Sequence, residues 1–254
     1  MRTDDLDLYL DPVGFARRSL NFHPDQAQAT VLRSRSPRGL LNCSRQWGKS
    51  TVVAAKAVHH AWFRPSSLTV VVSPSERQSA EFLRKASAFL RRLGVRPRGD
   101  GDNAVSLLLP NGARIVGLPG VESTVRGFSA VSLMLIDEAA RVRDEQYLAV
   151  RPMLAVGPGD LWLLSTPHGR RGFFYESWAR GGPEWHRISV PATRCPRITP
   201  AFLEEERRTM GDRWFRQEYL CEFNDTEDSL FQAGLVEAAI STDVEPLFPA
   251  GGRK

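Results

Sequence analysis

Short runs of apolar residues recur along the chain, and each run ends in polar or turn-forming residues. The clearest runs cover 39–43, 68–73, 131–137, 160–166 and 185–190. Runs of this kind, with helical patterns between them, predict buried strands of a mainly parallel sheet that is covered by helices on both faces. Because such sheets bind ligands at the carboxyl ends of their strands, the residues that follow these runs are the first candidates for function.

Two helices are predicted between the early runs. One begins near Lys49 and stops before Pro65, because the position before a proline disfavours helix. The next opens at "SPSE", where Ser73 is the predicted N-cap and Glu76 completes a capping box. Gly94 is a typical residue to end that second helix.

A β-hairpin is predicted over 104–119. Two strand-like segments flank the dipeptide Asn111-Gly112, which suits a tight turn between antiparallel strands. The chain shows no internal repeat and no long low-complexity stretch.

The pattern changes after the last apolar run. The Thr199-Pro200 pair begins a predicted helix that Gly211 ends, and a second predicted helix covers 213–223. No run of comparable strand character follows. The predicted organisation is therefore a core over 1–192, a small helical appendage over 193–232 and a tail over 233–254.

Composition places the chain among ordinary globular proteins. It has 254 residues, of which 42% are hydrophobic and 25% are charged, enough for one large domain or a domain with a small appendage. No apolar run is long enough to span a membrane, and the acidic start of the chain does not resemble a secretory signal. The three cysteines, Cys43, Cys195 and Cys221, are odd in number and widely spaced, which favours a reducing cytosol and no zinc site.

The formal net charge of +5 is compatible with a polyanionic partner. Nearly all the positive charge is arginine, since the lysines are only Lys49, Lys56, Lys85 and Lys254. Arginine binds phosphate with a planar fork. Genomic base composition explains the arginine excess equally well, so charge alone does not decide the partner.

The first apolar run leads into "LLNCSRQWGKST", residues 40–51, which ends as a phosphate-binding loop does. A strand precedes Gly48-Lys49-Ser50 and a helix follows, so backbone N–H groups and the helix N-terminus would face phosphate oxygens. Lys49 would reach the β and γ oxygens, and the Ser50 hydroxyl would bind Mg²⁺. The predicted nucleotide-binding residues of this loop are Cys43, Ser44, Arg45, Gln46, Trp47, Gly48, Lys49, Ser50 and Thr51.

Two positions in this loop are unusual. Cys43 stands five residues before Gly48, where a glycine is expected. Arg45 lies within the loop, where its guanidinium would approach the γ-phosphate from the same subunit.

A carboxylate pair follows the third apolar run. In "LMLIDEAAR", residues 133–141, Asp137 would hold Mg²⁺ through water, and Glu138 would orient and deprotonate the attacking water. Phosphoryl transfer needs both functions, because it depends on metal neutralisation and an aligned nucleophile. The strand at 68–73 lies between the two motif strands in sequence, which fits NTPases whose carboxylate strand is not the next one along the chain.

These residues together resemble a known family. Five segments of the chain occur in this order: "CSRQWGKST", "STVRGFSA", "LMLIDEAAR", "LLSTPHGRRGFFYE" and "WFRQEYLCEF". Together they look like the ATPase domain of the large terminase subunit of tailed phages, and the resemblance covers roughly residues 12 to 232. Large terminases commonly lack the first glycine of the loop and carry an arginine within it, as Cys43 and Arg45 do here. The resemblance implies an α/β P-loop NTPase of the ASCE type, with a mainly parallel sheet flanked by helices and a small helical lid over 193–232.

The resemblance also implies roles for residues outside the two motifs. In "HPDQAQ", Gln26 would read the adenine with its amide, although an aromatic residue often stands where Asp25 is. In "TVRG", Arg126 would act as an arginine finger on the neighbouring subunit's site. In "LLSTP", Ser165 and Thr166 would couple phosphate status to movement by bonding the attacking water or Glu138, or else would cap the next helix.

The implied function is an ATP- and Mg²⁺-dependent motor that drives double-stranded DNA into a viral capsid. The implied partners are double-stranded DNA, further copies of the chain in a ring on the capsid portal, and the small terminase subunit, with no membrane. The expected location is the host cytoplasm rather than the virion. Large terminases usually continue into a ribonuclease-H-like nuclease domain, and because this chain stops at Lys254, we expect no nuclease activity from it, with excision of the ATPase domain favoured as the reason.

Two other functions remain open at this stage. A helicase-like, DNA-dependent ATPase would share "DEAA" and "STP", but a full helicase needs a second domain for which the chain has no room. A nucleotide-dependent switch would bind ATP with little turnover, and Glu138 argues against it because a switch does not need a positioned base.

Overall fold

A seven-stranded sheet forms the centre of the molecule. The computed structural model of the chain describes residues 3–101, 105–119 and 128–224. Side by side, the strands run in the order β3-β4-β2-β5-β6-β1-β7. The strands are β1 (Arg38–Cys43), β2 (Leu68–Ser73), β3 (Ser106–Leu108), β4 (Arg114–Pro119), β5 (Leu133–Asp137), β6 (Asp160–Ser165) and β7 (His186–Val190).

All neighbouring strands are parallel except β3 and β4, which pair antiparallel. The predicted hairpin is thus confirmed over its described residues, and Gly112 adopts φ +80° in its turn. Residue 104, where the hairpin was expected to begin, lies outside the described residues. The predicted strand positions agree with the structure to within two residues at each end.

Helices cover both faces of this sheet. The α-helices of the described residues are α1 (Thr3–Leu10), α2 (Pro12–Arg18), α3 (Gln26–Arg33), α4 (Lys49–Phe63), α5 (Glu76–Arg92), α6 (Asp144–Val150), α7 (Gly172–Arg180), α8 (Pro200–Met210) and α9 (Asp212–Glu218), of which α8 and α9 belong to the appendage. Helices α2 to α5 pack on one face, and α6 and α7 pack on the other.

Successive side chains of a strand point to opposite faces, so each buried strand supplies two cores. Val71 and Leu135 belong to the core beneath α4 and α5, whereas Val70 and Met134 belong to the core beneath α6 and α7. This explains why the strands read as continuous apolar runs rather than as alternating ones. The predicted α/β class is confirmed.

The start of α5 differs from the prediction. Ser73 does not cap the helix, because it is the last residue of β2, is paired with Pro119 of β4 and is buried. Ser75 is the N-cap, and Glu76 is the first helical residue rather than the partner of a capping box. The other predicted end is close, since α5 stops at Arg92 and Gly94 follows with φ +76°.

The appendage contains the two helices α8 and α9, which we call the lid helices. Thr199 caps α8 as predicted, through its hydroxyl and the N–H of Phe202. Helix α9 is shorter than predicted and ends at Glu218, because the following segment turns back to bond the core and Cys221 adopts φ +62°. The lid helices share a small core that includes Leu203, Phe215 and Tyr219.

Among the described residues, no helix is long and apolar enough to cross a membrane.

Candidate active site

Three strands carry candidate residues to one edge of the sheet. Strand β6 lies between β1 and β5, and all three run parallel, so their carboxyl ends meet. Cys43 ends β1, Asp137 ends β5 and Ser165 ends β6. The extra strand between the loop strand and the carboxylate strand is the arrangement expected of ASCE-type NTPases.

The loop after β1 is shaped for an anion. Gln46 and Gly48 adopt positive φ values of 62° and 94°, and helix α4 begins directly afterwards at Lys49. The N–H groups of Thr51 and Val52 already bond the Gly48 carbonyl, so the first turn of α4 is formed. The loop therefore presents a helix N-terminus at the sheet edge, which favours phosphate oxygens.

Buried contacts with the core hold the middle of the loop in place. Trp47 is fully buried in the core, and its carbonyl accepts hydrogen bonds from Gln28 Nε2 at 3.1 Å and from Arg197. Ser44 is also fully buried, and its N–H donates to the Val190 carbonyl at 3.0 Å. These contacts hold the loop backbone in one conformation.

Gln28 was not predicted as a site residue. It completes a capping box with Asp25 at the start of α3, and Asp25 lies 3.1 Å from Arg197 Nη2. The D-x-x-Q spacing in "HPDQAQ" was the available signal for this capping box. Gln26, the predicted adenine reader, is the exposed first residue of α3, and its role stays a prediction.

Lys49 contacts the carboxylate of Glu138, the candidate base. Its Nζ lies 2.9 Å from Glu138 Oε1 and donates to Thr166 Oγ1 at 3.5 Å. Thr166 in turn donates to the Cys43 carbonyl at 3.0 Å, which joins the end of β6 to the start of the loop. The structure thus brings Lys49, Glu138 and Thr166 together, and Thr166 bonds Lys49 and the Cys43 carbonyl rather than Glu138.

Ser50 and Asp137 form the candidate metal site. The Ser50 hydroxyl donates to Asp137 Oδ2 at 2.9 Å, and the Glu138 N–H donates to Asp137 Oδ1 at 3.0 Å. Burial, followed by the neighbouring Glu138 carboxylate, raises the pKa of Asp137. Two oxygen donors side by side, one of them a desolvated carboxylate, fit a hard cation such as Mg²⁺.

Glu138 is held in an unusual backbone conformation. Its φ of 53° is left-handed, which is uncommon for a residue with a side chain and recurs at active sites. The short 3₁₀ turn Ala139–Arg141 follows, and Ser165 Oγ accepts a hydrogen bond from Ala140 N at 3.1 Å. Ser165 therefore contacts the backbone just after Glu138. The alternative that Ser165 or Thr166 caps the next helix is wrong, because α7 begins only at Gly172.

Arg45 is exposed over 58% of its side chain and borders a cavity of about 360 Å³ above the loop. Its Nε donates to Glu218 Oε2 of the lid helix α9. Hydrogen bonding to Glu218 raises the pKa of Arg45. Gln78 and Lys85 of α5 line the same cavity and were not predicted as site residues.

Two further residues of the site were missed by sequence reasoning, Arg141 and Glu218. Arg141 lies 3.4 Å from Glu138 Oε2, and its other nitrogen lies 3.6 Å from Glu218 Oε1. Both lie in segments that carry the family resemblance, "LMLIDEAAR" and "WFRQEYLCEF". The predicted finger Arg126 lies outside the described residues.

Fold and site together define the class of protein. The chain has the fold of P-loop NTPases of the ASCE type. A loop of the phosphate-binding kind joins β1 to α4, a serine and a carboxylate are in contact at the candidate metal position, and a second carboxylate lies beside the loop lysine.

The particular family follows from comparison. Residues 40–237 match the family described as "Terminase large subunit, T4likevirus-type, N-terminal", so the chain belongs to this family. The chain is 26% identical over 248 residues to the terminase large subunit of Thermus phage G20c, covering 84% of this chain and 51% of the relative. It is 27% identical over 199 residues to that of Escherichia phage T5, covering 74% of this chain and 44% of the relative. The chain thus spans about half the length of the curated relatives it matches.

Solved structures agree in fold. The large terminase ATPase domain of Thermus phage P74-26 superposes with a TM-score of 0.74 at 23% identity, covering 84% of this chain and 99% of that one. The HK97 large terminase gives a TM-score of 0.70 at 16% identity, covering 85% of this chain and 55% of that one. The large terminase of a thermophilic bacteriophage, in complex with ADP, gives a TM-score of 0.67 at 13% identity, covering 78% of this chain and 53% of that one. The sequence-based resemblance to large terminases is confirmed.

Proposed function

We propose that this chain hydrolyses ATP with Mg²⁺ and that hydrolysis powers the movement of double-stranded DNA into a viral capsid. The observation that carries the proposal is the pairing of both phosphate-loop side chains with both carboxylates: Lys49 with Glu138 at 2.9 Å, and Ser50 with Asp137 at 2.9 Å. Membership of the large terminase family supports the packaging role.

Each residue has a separate task in this proposal. Lys49 and the loop N–H groups bind the β- and γ-phosphates, and Arg45 adds charge from the same subunit. Ser50 and Asp137 hold Mg²⁺. When bound, Mg²⁺ neutralises charge on the phosphate oxygens.

Glu138 is the proposed general base. Its carboxylate orients the attacking water and takes the water's proton, while the loop and Lys49 stabilise the charge on the transferred phosphoryl group. Thr166 links β6 to the phosphate loop, and Ser165 links β6 to the segment after Glu138. Through these two contacts, the presence or absence of the γ-phosphate would influence the rest of the fold.

The proposed partners follow the family. They are double-stranded DNA, further copies of the chain in a ring on the capsid portal, and the small terminase subunit, all in the host cytoplasm. A helicase-like role is not favoured, because the family matched is that of packaging terminases.

The test is isothermal titration of the chain with ATP in the presence of Mg²⁺. We expect binding that Lys49→Ala weakens greatly, because the variant loses the cation that contacts two phosphates. Thermal unfolding checks that the variant remains folded. Unchanged ATP affinity in a folded Lys49→Ala chain would refute the proposed site, and wild-type turnover that DNA does not affect in the assembled motor would refute the coupling.

A further inference from the structure

Glu218, the last residue of the lid helix α9, is a buried carboxylate next to the candidate active site. Its side chain is only 7% exposed. One oxygen accepts from Arg45 of the phosphate loop, and the other lies 3.6 Å from Arg141 Nη2. A buried carboxylate requires compensating charge. Two arginines from two different segments of the core supply it here.

Arg141 connects this lid carboxylate to the proposed base. While Nη2 faces Glu218, Nη1 lies 3.4 Å from Glu138 Oε2. A planar guanidinium can contact two carboxylates at once in a fixed geometry, which a lysine cannot do. One side chain therefore spans the distance between the lid helix and the catalytic carboxylate.

The two oxygens of Glu138 have different partners. Oε1 is paired with Lys49 and Oε2 with Arg141. Because Lys49 is the cation that phosphate oxygens attract, we expect it to leave Oε1 when a triphosphate binds. Within the described part of the chain, Arg141 is then the ion-pair partner that still fixes the Glu138 carboxylate, and it leaves Oε1 free to face water.

The segment around Glu218 is also anchored to the core by its backbone. The Glu218 carbonyl accepts from Arg45 N at 3.2 Å, and the Tyr219 carbonyl accepts from Ala192 N at 2.7 Å. The Cys221 carbonyl accepts from Asn42 Nδ2 at 2.8 Å. These bonds place the Glu218 carboxylate beside Arg141 as long as the end of α9 stays docked on the core, so undocking of the lid helices would break the contact between Glu218 and Arg141.

We infer that Arg141 is a positioning residue that keeps Glu138 oriented for hydrolysis, and that Glu218 ties this orientation to the position of the lid helices. The inference rests on the proposed ATPase function. The lid helices would thus influence Glu138 through the side chains of Glu218 and Arg141, without contacting the reacting atoms themselves.

The experiment compares Arg141→Ala and Glu218→Gln with matched controls. Arg143→Ala removes an exposed arginine from the same loop, and Glu222→Gln alters a partly exposed carboxylate four residues beyond Glu218. For each chain, kcat and KM for ATP are measured, together with the affinities for ADP and for ADP–aluminium fluoride by titration. Aluminium fluoride mimics the transferred phosphoryl group, so its binding reports on the catalytic geometry independently of turnover.

We expect Arg141→Ala and Glu218→Gln each to lower kcat about ten-fold or more with KM nearly unchanged, the scale of a misplaced catalytic group. Both should lose tighter binding of ADP–aluminium fluoride while retaining ADP affinity. The double variant should be no worse than the poorer single variant, because both act on one contact chain. Arg141→Lys should restore part of the loss.

Two results would overturn the inference. One is that Glu218→Gln or Arg141→Ala matches its control in kcat and in analogue binding. The other is that KM rises while kcat is unchanged, which would assign these residues to nucleotide binding. If Glu218→Gln proves unfolded, Arg141→Ala still decides, since Arg141 is partly exposed. A wild-type chain that neither binds ATP nor distinguishes the analogue from ADP would instead refute the proposed function.

Discussion

At the scale of single residues, the contact between Ser50 and Asp137 is the observation that most directly supports a Mg²⁺ site. Asp137 is buried beside a second carboxylate, and its pKa is raised for that reason. A divalent cation would offset both the burial and the repulsion, because it adds positive charge where two acids meet.

We therefore predict that Asp137→Asn abolishes the dependence of ATP binding on Mg²⁺. In the wild type, ATP should bind at least about ten-fold more tightly with Mg²⁺ than with a chelator, and this ratio should fall towards one in the variant. Titrations with and without Mg²⁺ measure it, and Asp212→Asn in the exposed start of α9 is the control. A variant that keeps the wild-type ratio would exclude Asp137 as a metal ligand.

The candidate residues that the sequence identifies, and that the structure brings together, are next to one another in the chain. Lys49 and Ser50, or Asp137 and Glu138, each follow one strand, so a short motif contains them. Glu218 was missed because its partners are far away in the chain: the Arg45–Glu218 contact joins residues 173 positions apart. Gln28 and Arg141 each have one partner three positions away, but their contacts with the Trp47 carbonyl and with Glu218 form only on folding.

At the scale of elements, helix α4 contains two neighbouring histidines, His59 and His60, that are largely shielded from water. His60 lies 2.8 Å from the Ser132 hydroxyl, and Ser132 donates to the Leu68 carbonyl, so His60 Nε2 is the donor to Ser132. Burial, reinforced by the nearby Arg64 and Lys56, lowers the pKa of His60 to about 3. Burial lowers the pKa of His59 to about 4.

These values predict loss of stability in acid. In the unfolded chain these histidines take up protons near pH 6.5. In the folded chain His60 is protonated only near pH 3 and His59 only near pH 4. Stability contributed by the neutral imidazoles is therefore complete above pH 6.5 and falls as pH drops below it, by up to about 1.4 kcal/mol per pH unit for each histidine.

Denaturant titrations from about pH 7 to about pH 4.5 test this, since that range spans the unfolded-state titration of histidine. His60→Gln keeps a donor for Ser132 and should show a shallower fall in unfolding free energy, whereas the exposed His23→Gln should follow the wild type. An equally steep fall in His60→Gln would mean that other groups cause the acid sensitivity.

A second prediction concerns the contact between β1 and β6. Gly39 stands opposite Trp162 in the register, and a Cβ at Gly39 would lie 2.3 Å from the indole ring. Because Trp162 is fully buried and cannot move aside, Gly39→Ala should destabilise the fold by about 1–3 kcal/mol. Gly157→Ala, whose Cβ would meet open space, is the control. Equal denaturation midpoints for both variants would contradict this packing argument.

Elements that are buried on both faces were predicted more accurately than the ends of helices. The strands were predicted because burial on both faces produces unbroken apolar runs. The start of α5 was misplaced because Ser73 and Ser75 both suit an N-cap, and pairing of Ser73 in the sheet decides between them. Helix α9 was predicted too long because aromatic residues continue past Glu218, whereas in the structure the chain leaves the helix there and Phe223 packs against α7.

At the scale of the whole molecule, the fold class followed from the alternation of runs and helices, but the strand order did not. Placing β6 between β1 and β5 depends on which faces the helices cover, and this is a property of the complete sheet. The proposed assembly of several copies is a further step, and the predicted trans role of Arg126 belongs there.

We predict that Arg126 acts on a neighbouring subunit. A mixture of Glu138→Ala chains, which retain Arg126, with Arg126→Ala chains, which retain Glu138, should recover ATPase activity that neither shows alone. The gain should be large, because such a finger contributes roughly 10³-fold or more. If the two variants demonstrably assemble together and the mixture remains inactive, the trans role is wrong.

The most direct test of the central claim is a single-turnover ATP hydrolysis assay of Glu138→Ala against the wild type, under conditions of assembly and with Mg²⁺. We predict that the variant binds ATP with near-normal affinity and loses turnover by a factor on the order of 10² or more, because it lacks the base beside Lys49. Glu145→Ala, which alters an acidic residue in the first turn of α6, should behave as the wild type does. A near-normal rate in Glu138→Ala would rule out Glu138 as the base, since the site would then hydrolyse ATP without the carboxylate on which the proposed mechanism depends.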